Sequence, residues 1–314
     1  MRVLVTGGTV FASRFAAEYF ARRGHSVYVL NRGSRPQSGG VTLIKADRHA
    51  LGGALKGVGF DAVLDVCAYN EADIRDLLDG LEDFGSYIMV SSSAVYPETL
   101  PQPFREDMPV GANSVWGKYG ADKIAAEKLL TERVPEAYII RPPYLYGRMN
   151  NLYREAFAFE CAERDLPFCL PKSGEMPLQF FDVEDLCRFT EILLEKRPKR
   201  RIFNVGNPGS VSVRDWAALC YGVLGKRPEF VSVSGDVPQR SYFPFHDYGY
   251  ELDVAEMLRL IPEVKPLAEG LRQSYEWFSE NREKVARKPL SEFIEQNELC
   301  KIHKIQPQNS TYNN

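Results

Sequence analysis

Short, largely apolar runs alternate with helix-period segments through the first half of the chain. Val3–Val5 is followed by Phe11, Phe15, Ala16, Tyr19 and Phe20, which fall on one helical face. Val27–Leu30, Thr42–Lys45 and Ala62–Val66 predict three more strands. Asp73–Leu81 reads as a helix and Tyr87–Val90 as a strand that ends in three serines. Ile124, Leu129 and Leu130 mark a helix after the Trp116-Gly117 turn, and Tyr138–Ile140 is the sixth strand. Strands separated by helix-length segments need crossovers, so the sheet is expected to be parallel. Their apolar character suits a sheet covered on both faces.

After Arg141-Pro142-Pro143 the pattern loosens. Leu152–Glu163 predicts a helix, a Pro-rich stretch follows, and Val183, Leu186, Phe189 and Leu193 form one face of another helix. Ile202–Val205 is a strand placed to return to the main sheet. Helices at Val213–Leu224 and Leu267–Phe278, with a strand at Phe230–Val233, suit a smaller domain. The expected organisation is an α/β, Rossmann-type doubly wound parallel sheet over 1–147, with 178–206 returning to it. A substrate subdomain takes 148–177 and 207–288, and 289–314 forms a flexible polar tail.

Composition narrows the functional classes. Lys and Arg number 39 against 42 Asp and Glu, so a net charge of −3 gives no general attraction to nucleic acid or anionic membrane. No uncharged apolar run approaches the roughly 18–20 residues of a membrane span. Met1 leads almost directly into the first strand, so no secretory signal is expected and a cytoplasmic location is. The six cysteines contain no C-x-x-C pair and the four histidines are scattered, which favours free thiols over a zinc site or a disulfide framework.

The candidate chemistry sits at strand ends. Thr6-Gly7-Gly8-Thr9-Val10-Phe11 lies between the first strand and helix, where a glycine turn lets backbone N–H groups face a pyrophosphate. After the second strand the chain reads Asn31-Arg32-Gly33-Ser34, without the acid that often holds a ribose. Arg32 and Ser34 suit a 2′-phosphate, which favours NADP(H) slightly over NAD(H); a solvated basic loop is the competing reading. Ser91-Ser92-Ser93 ends the fifth strand, on the side that faces the ligand crevice of a parallel sheet. Tyr119 and Lys123, four apart on a helix, share a face. An ammonium and a cationic nicotinamide beside a phenol would draw its pKa down from about 10, and a serine hydroxyl would orient the substrate oxygen.

With Arg141-Pro142-Pro143-Tyr144-Leu145-Tyr146-Gly147, Phe181-Asp182-Val183-Glu184-Asp185-Leu186 and Phe203-Asn204-Val205-Gly206, these motifs stand in the order of a known family. The chain resembles the extended short-chain dehydrogenase/reductases, also called the NAD-dependent epimerase/dehydratase family, from Met1 to about Phe278. The resemblance implies Ser92, Tyr119 and Lys123 as catalytic residues. It implies cofactor contacts at Gly7, Gly8, Thr9, Val10, Phe11, Asn31, Arg32, Ser34, Asp47 and Arg48, with Tyr119 and Lys123 on the nicotinamide ribose. Candidate substrate contacts are Ser93, Tyr144, Asn151 and Arg240, and Phe157, Phe180 and Tyr242 are expected along the cleft; no metal ligand is expected.

Departures from the family pattern sharpen the picture. Val10 and Ser13 replace the second and third glycines. Ser93 and Ala94 stand where dehydratases of the family carry an acidic pair and decarboxylases a glutamate, which disfavours both reactions. Tyr144 replaces an asparagine that holds nucleotide-sugar phosphates. The expected activity is hydride transfer at a sugar-like carbinol or carbonyl, as an NAD(P)-dependent epimerase or oxidoreductase. Expected partners are a small-molecule substrate, with a nucleotide sugar among the options, and a second copy in a homodimer. The alternative is a non-catalytic cofactor- or RNA-binding protein on the same fold.

Overall fold

The structure is a computed structural model that describes residues 1–233 and 237–296. Seven strands form one parallel sheet. They are β1 (Arg2–Thr6), β2 (Ser26–Asn31), β3 (Val41–Lys45), β4 (Gly59–Asp65), β5 (Asp83–Val90), β6 (Tyr138–Arg141) and the short strand Ile202–Asn204. Their order across the sheet is Ile202–Asn204, β6, β5, β4, β1, β2, β3. The order reverses between β1 and β4, which opens a crevice at their carboxyl ends. Val3, Leu4 and Val5 of β1 are wholly buried, because helices cover both faces of the sheet.

The helix α1 (Phe11–Arg22) follows β1, and α2 (Glu71–Gly80) starts two residues before the apolar pattern suggests. The reason is local. Asn70 accepts from the Asp73 backbone N–H, and the Asp73 carboxylate accepts from Asn70 N–H, each at 3.1 Å, which closes a capping box. The helix α3 (Gly117–Arg133) carries both Tyr119 and Lys123.

Outside the sheet, Tyr144–Tyr146 pairs in parallel with Phe180–Asp182, and Phe168–Pro171 with Phe230–Val233. These join Glu155–Glu163, Val213–Gly222 and Leu267–Glu280, whose aromatic side chains continue the core. Phe157 and Phe180 belong to that core: they are buried and stack among Tyr153, Phe168, Trp216 and Phe245, so they are packing residues and not the expected cleft lining. Tyr242 is likewise buried, against Phe293. Leu290–Gln296 forms a helix with Leu290 and Ile294 buried, which corrects the expectation of a polar tail from 289; residues 297–314 lie outside the described residues.

Two polar networks explain motifs that carry no chemistry. Arg141 donates to Glu127 through Nε at 3.0 Å and Nη2 at 2.5 Å, and to the Tyr96 hydroxyl at 2.8 Å. Tyr96 in turn donates to Asn204 at 2.8 Å, and Ser91 to the same Glu127 carboxylate. Lys265 Nζ donates to Asp182 at 3.0 Å and Glu184 at 2.7 Å, fastening the Phe181–Leu186 motif to the C-terminal half. Among the described residues, no helix is long and apolar enough to cross a membrane.

Candidate active site

The first glycine turn is fixed by space. Gly7 and Gly8 have φ of +86° and +77°, a region that favours glycine. A Cβ on Gly7 would lie 2.7 Å from Cys67 Sγ, and one on Gly8 2.5 Å from Val29 Cγ1. Gly8 thus packs onto β2, and neither it nor Thr9 lines the groove beside Gly7. Behind the turn, α1 begins at Val10 and Phe11 with no side-chain cap, so its first N–H groups are left for a ligand. Phe11 itself is at φ +37°, an uncommon conformation for a residue with a Cβ.

Two hollows meet along the carboxyl ends of the strands. The outer one is lined by Gly7, Asn31, Arg32, Asp47, Arg48 and His49, and the inner one by Val10, Phe11, Ser92, Tyr119, Lys123 and Asn151. Cys67 and Tyr69 line both, so the two form one groove. Within it the expected residues have unequal roles. Asn31 Nδ2 donates to Gly7 O at 2.7 Å and braces the glycine turn. Arg48 is held away from a ligand: Nη2 donates to both oxygens of Asp65 at 2.7 and 2.8 Å, and Nη1 to Cys67 O at 2.8 Å. Tyr87 and Thr6 donate to the same buried carboxylate, so Arg48 neutralises Asp65 beneath the groove. Ser34 is exposed and outside the lining, whereas Arg32 lines the outer hollow.

Ser92, just beyond the end of β5, lines the same cleft as Tyr119 and accepts from Ala94 N–H at 3.2 Å. Ser93 is buried and donates to the Tyr250 hydroxyl at 3.0 Å, so it is turned into the core and away from the cleft. Tyr119 is 40% exposed and lines the cleft. Burial nonetheless raises the Tyr119 pKa, partly offset by the neighbouring Ser92 hydroxyl and by the charge of Arg154. Arg154 is one cation that acts on the phenol, and Lys123 Nζ lies 5.9 Å from the centre of its ring. Lys123 is buried, and burial draws its own pKa down to about 8.

Beyond Leu152 and Arg154 the groove continues into a third cavity, bounded by Trp116, Tyr144, Phe245, His246, Arg240 and Lys288. Of the candidate substrate contacts, Tyr144 and Arg240 line this cavity and Asn151 the catalytic cleft. Arg154 and Lys288 lie in no motif, and only the folded chain brings them here. Among the described residues, no cluster of His, Cys, Asp and Glu is placed to hold a metal ion.

The profile of the NAD dependent epimerase/dehydratase family matches residues 3–206, which include the glycine turn, Ser92, Tyr119, Lys123 and the strand Ile202–Asn204. The chain belongs to this family. Among curated relatives, a chloroplast stem-loop binding protein of 41 kDa from Arabidopsis thaliana is 27% identical over 300 residues, covering 87% of this chain and 78% of the relative. The dTDP-4-dehydrorhamnose reductase of Streptomyces griseus is 26% identical, covering 72% of this chain and 77% of the enzyme. The structure of Bacillus anthracis dTDP-glucose 4,6-dehydratase in complex with NAD superposes with a TM-score of 0.73 at 18% identity, over 92% of this chain and 99% of that one. Family members are thus epimerases, dehydratases and reductases, so the disfavouring of dehydration by Ser93 and Ala94 gains no support from this kinship.

The groove fits a nicotinamide dinucleotide. The Gly7 cradle admits no side chain, the α1 N-terminus is uncapped, and the outer and catalytic hollows are continuous.

Proposed function

We propose that the protein is an NAD(P)(H)-dependent epimerase or oxidoreductase acting at a carbinol or carbonyl carbon of a sugar-like substrate. The observation that carries this reading is the convergence of Ser92, Tyr119 and Lys123 on one cleft continuous with the glycine-turn groove. When bound, the nicotinamide supplies the acceptor and donor of hydride. Tyr119 takes the carbinol proton as the C–H bond gives up hydride, leaving a carbonyl, and returns the proton when hydride comes back. Ser92, which lines the same cleft, orients the substrate oxygen. Lys123 holds positive charge below that oxygen and beside the ribose position. Epimerisation needs the same residues, with the ketone turned before hydride returns.

The reductase relative's name points to a nucleotide-linked sugar, and that class enters the reading on this ground. Reduction or epimerisation is preferred to dehydration because position 93 holds a serine turned into the core and position 94 an alanine, where elimination needs an extra acid and base. Arg32 supports NADP(H) as the better cofactor. The absence of a paired-cysteine motif among the six cysteines suits the reducing cytoplasm.

A screen of sugar and nucleotide-sugar substrates for absorbance change at the reduced-nicotinamide band and for product stereochemistry tests the reading. Activity that survives unchanged in Tyr119→Phe refutes it. The Arabidopsis relative's name raises RNA binding on the same fold. The net charge of −3 and the complete Ser92, Tyr119 and Lys123 set weigh against it, and a salt-dependent RNA shift without nicotinamide binding would reverse that order.

A further inference from the structure

The third cavity, beside the catalytic cleft, has an unusual charge balance. Its charged lining is Arg154, Arg240 and Lys288, and no carboxylate among the described residues lines it. None of the three forms an ion pair with a described residue. Arg154 donates to Leu145 O at 3.5 Å and Arg240 to Pro244 O. Burial, and then the charges of their neighbours, lower the pKa of Arg240, Lys288 and His246 alike. Like charges are therefore gathered without an internal counterion, a cost that a bound anion would remove.

A second observation comes from a neutral group. Tyr144 is 5% exposed, and its hydroxyl has no hydrogen-bond partner. The Arg154 guanidinium lies over its ring, 4.9 Å from the centre. Burial pushes the Tyr144 pKa up to about 12, so the phenol keeps its proton at neutral pH and leaves a hydroxyl that a hydrogen-bonding group entering the cavity would satisfy.

The cavity is also small. Its volume is about 140 Å³ against about 330 Å³ for the catalytic cleft. The segment after the last long helix borders it: Ala286 N–H donates to Asn151 O at 2.9 Å, and both Ala286 and Lys288 line the cavity. The remaining walls are mostly apolar, with Trp116, Leu152, Phe245 and Pro244 beside His246. Arg154 and Leu152 line both spaces, so an anion seated here adjoins the cleft that holds Tyr119.

We propose that this cavity takes the phosphate monoester of a sugar phosphate, so that the substrate is a free phosphorylated sugar and not a nucleoside diphosphate sugar. The proposal rests on the reading of the Tyr119 cleft as a sugar-processing site and narrows its substrate. A phosphate monoester carries about −1.5 to −2 charge and three terminal oxygens, which match three cations and one phenol better than a carboxylate does.

The test is calorimetric binding to the full chain, with turnover not required. Inorganic phosphate, a panel of aldose and ketose phosphates, the unphosphorylated sugars and UDP-glucose are titrated in the presence of NADP⁺. The expected result is binding of inorganic phosphate, tighter binding of at least one sugar phosphate, and about tenfold or greater preference for it over its free sugar and over UDP-glucose. Arg240→Ala and Lys288→Ala should each weaken that binding by about tenfold to a hundredfold, the usual worth of a charge-assisted hydrogen bond. Tyr144→Phe should weaken it by a smaller factor. Unchanged melting temperatures establish that the variants fold, and Arg240→Lys should recover part of the loss.

Tighter binding of UDP-glucose than of every sugar phosphate overturns the proposal. So does phosphate binding that is absent, or that is indifferent to both Arg240→Ala and Lys288→Ala. Failure of the catalytic reading looks different: sugar phosphates bind and the cation variants lose them, while Tyr119→Phe leaves turnover unchanged.

Discussion

The Lys123 ammonium lies 5.9 Å from the centre of the Tyr119 ring and donates to two backbone carbonyls, Ala68 at 2.6 Å and Val90 at 2.9 Å. It is therefore a strut between the ends of β4 and β5 as well as a charge under the cleft. Tyr69 shares it, with its ring centre 5.3 Å away. Burial holds the Lys123 pKa at about 8, below its ordinary 10.5. Between those values the unfolded chain binds a proton that the folded chain does not, so the Lys123 contribution to stability rises with pH across this window. Denaturant unfolding at intervals from pH 7 to 10.5 should show that rise in the wild type relative to Lys123→Met. Parallel pH profiles for the two proteins would refute the buried, easily discharged lysine.

Tyr119→Phe is expected to lower turnover by about two to four orders of magnitude, the range typical of general acid–base catalysis. Cofactor affinity should change little, because the phenol adds only one contact to a long groove. Ser92→Ala should also lower turnover without rescue by its neighbour, since Ser93 is committed to Tyr250 inside the core. Ser93→Ala should leave kinetics near wild type and cost stability alone. Steady-state kinetics on the four proteins separate these outcomes; a Ser93→Ala enzyme slower than Ser92→Ala would reverse the assignment.

Much of this was legible in the chain because parallel strands buried on both faces must be apolar, and turns that meet side chains must be glycine. Val3–Val5, Gly7 and the Tyr119/Lys123 spacing carry such local signatures. The corrections fall where partners are distant in sequence. Arg48 lines the groove, but its guanidinium is committed to Asp65 beneath it, and the expected substrate contact Ser93 donates instead to Tyr250, 157 residues away. Arg154 and Lys288 show no pattern at all, since their cavity exists only after Ala286 has docked on Asn151.

Cofactor choice turns on Arg32. It faces the outer hollow, and no acid ends β2 to accept a ribose hydroxyl. NADP⁺ should bind more tightly than NAD⁺, and Arg32→Ala should remove the difference, losing about 1.5–3 kcal/mol for NADP⁺, as for a hydrogen bond to a charged group. Calorimetric titration of both proteins with both cofactors decides this. A wild-type preference for NAD⁺ that Arg32→Ala leaves intact would assign Arg32 to the solvated loop.

The buried Arg141–Glu127 pair is expected to be the most sensitive polar site in the sheet. Both side chains are under a tenth exposed (3% and 7%), so water cannot compensate for either charge once its partner is removed. The pair joins α3, which carries Tyr119 and Lys123, to β6, and through Tyr96 and Asn204 it reaches the strand Ile202–Asn204. Arg141→Ala should therefore cost about 3–5 kcal/mol, because it leaves an isolated carboxylate in the core. Tyr96→Phe keeps the ring stacked on Phe104 and deletes one link between Arg141 and Asn204, so about 1–3 kcal/mol is expected. The two losses should not add, since Arg141 and Tyr96 act through the same bond. Urea unfolding of both single variants and the double variant measures that coupling. Independent, additive losses would show that the motif arginine stabilises α3 alone and that the link across β6 to Asn204 contributes nothing.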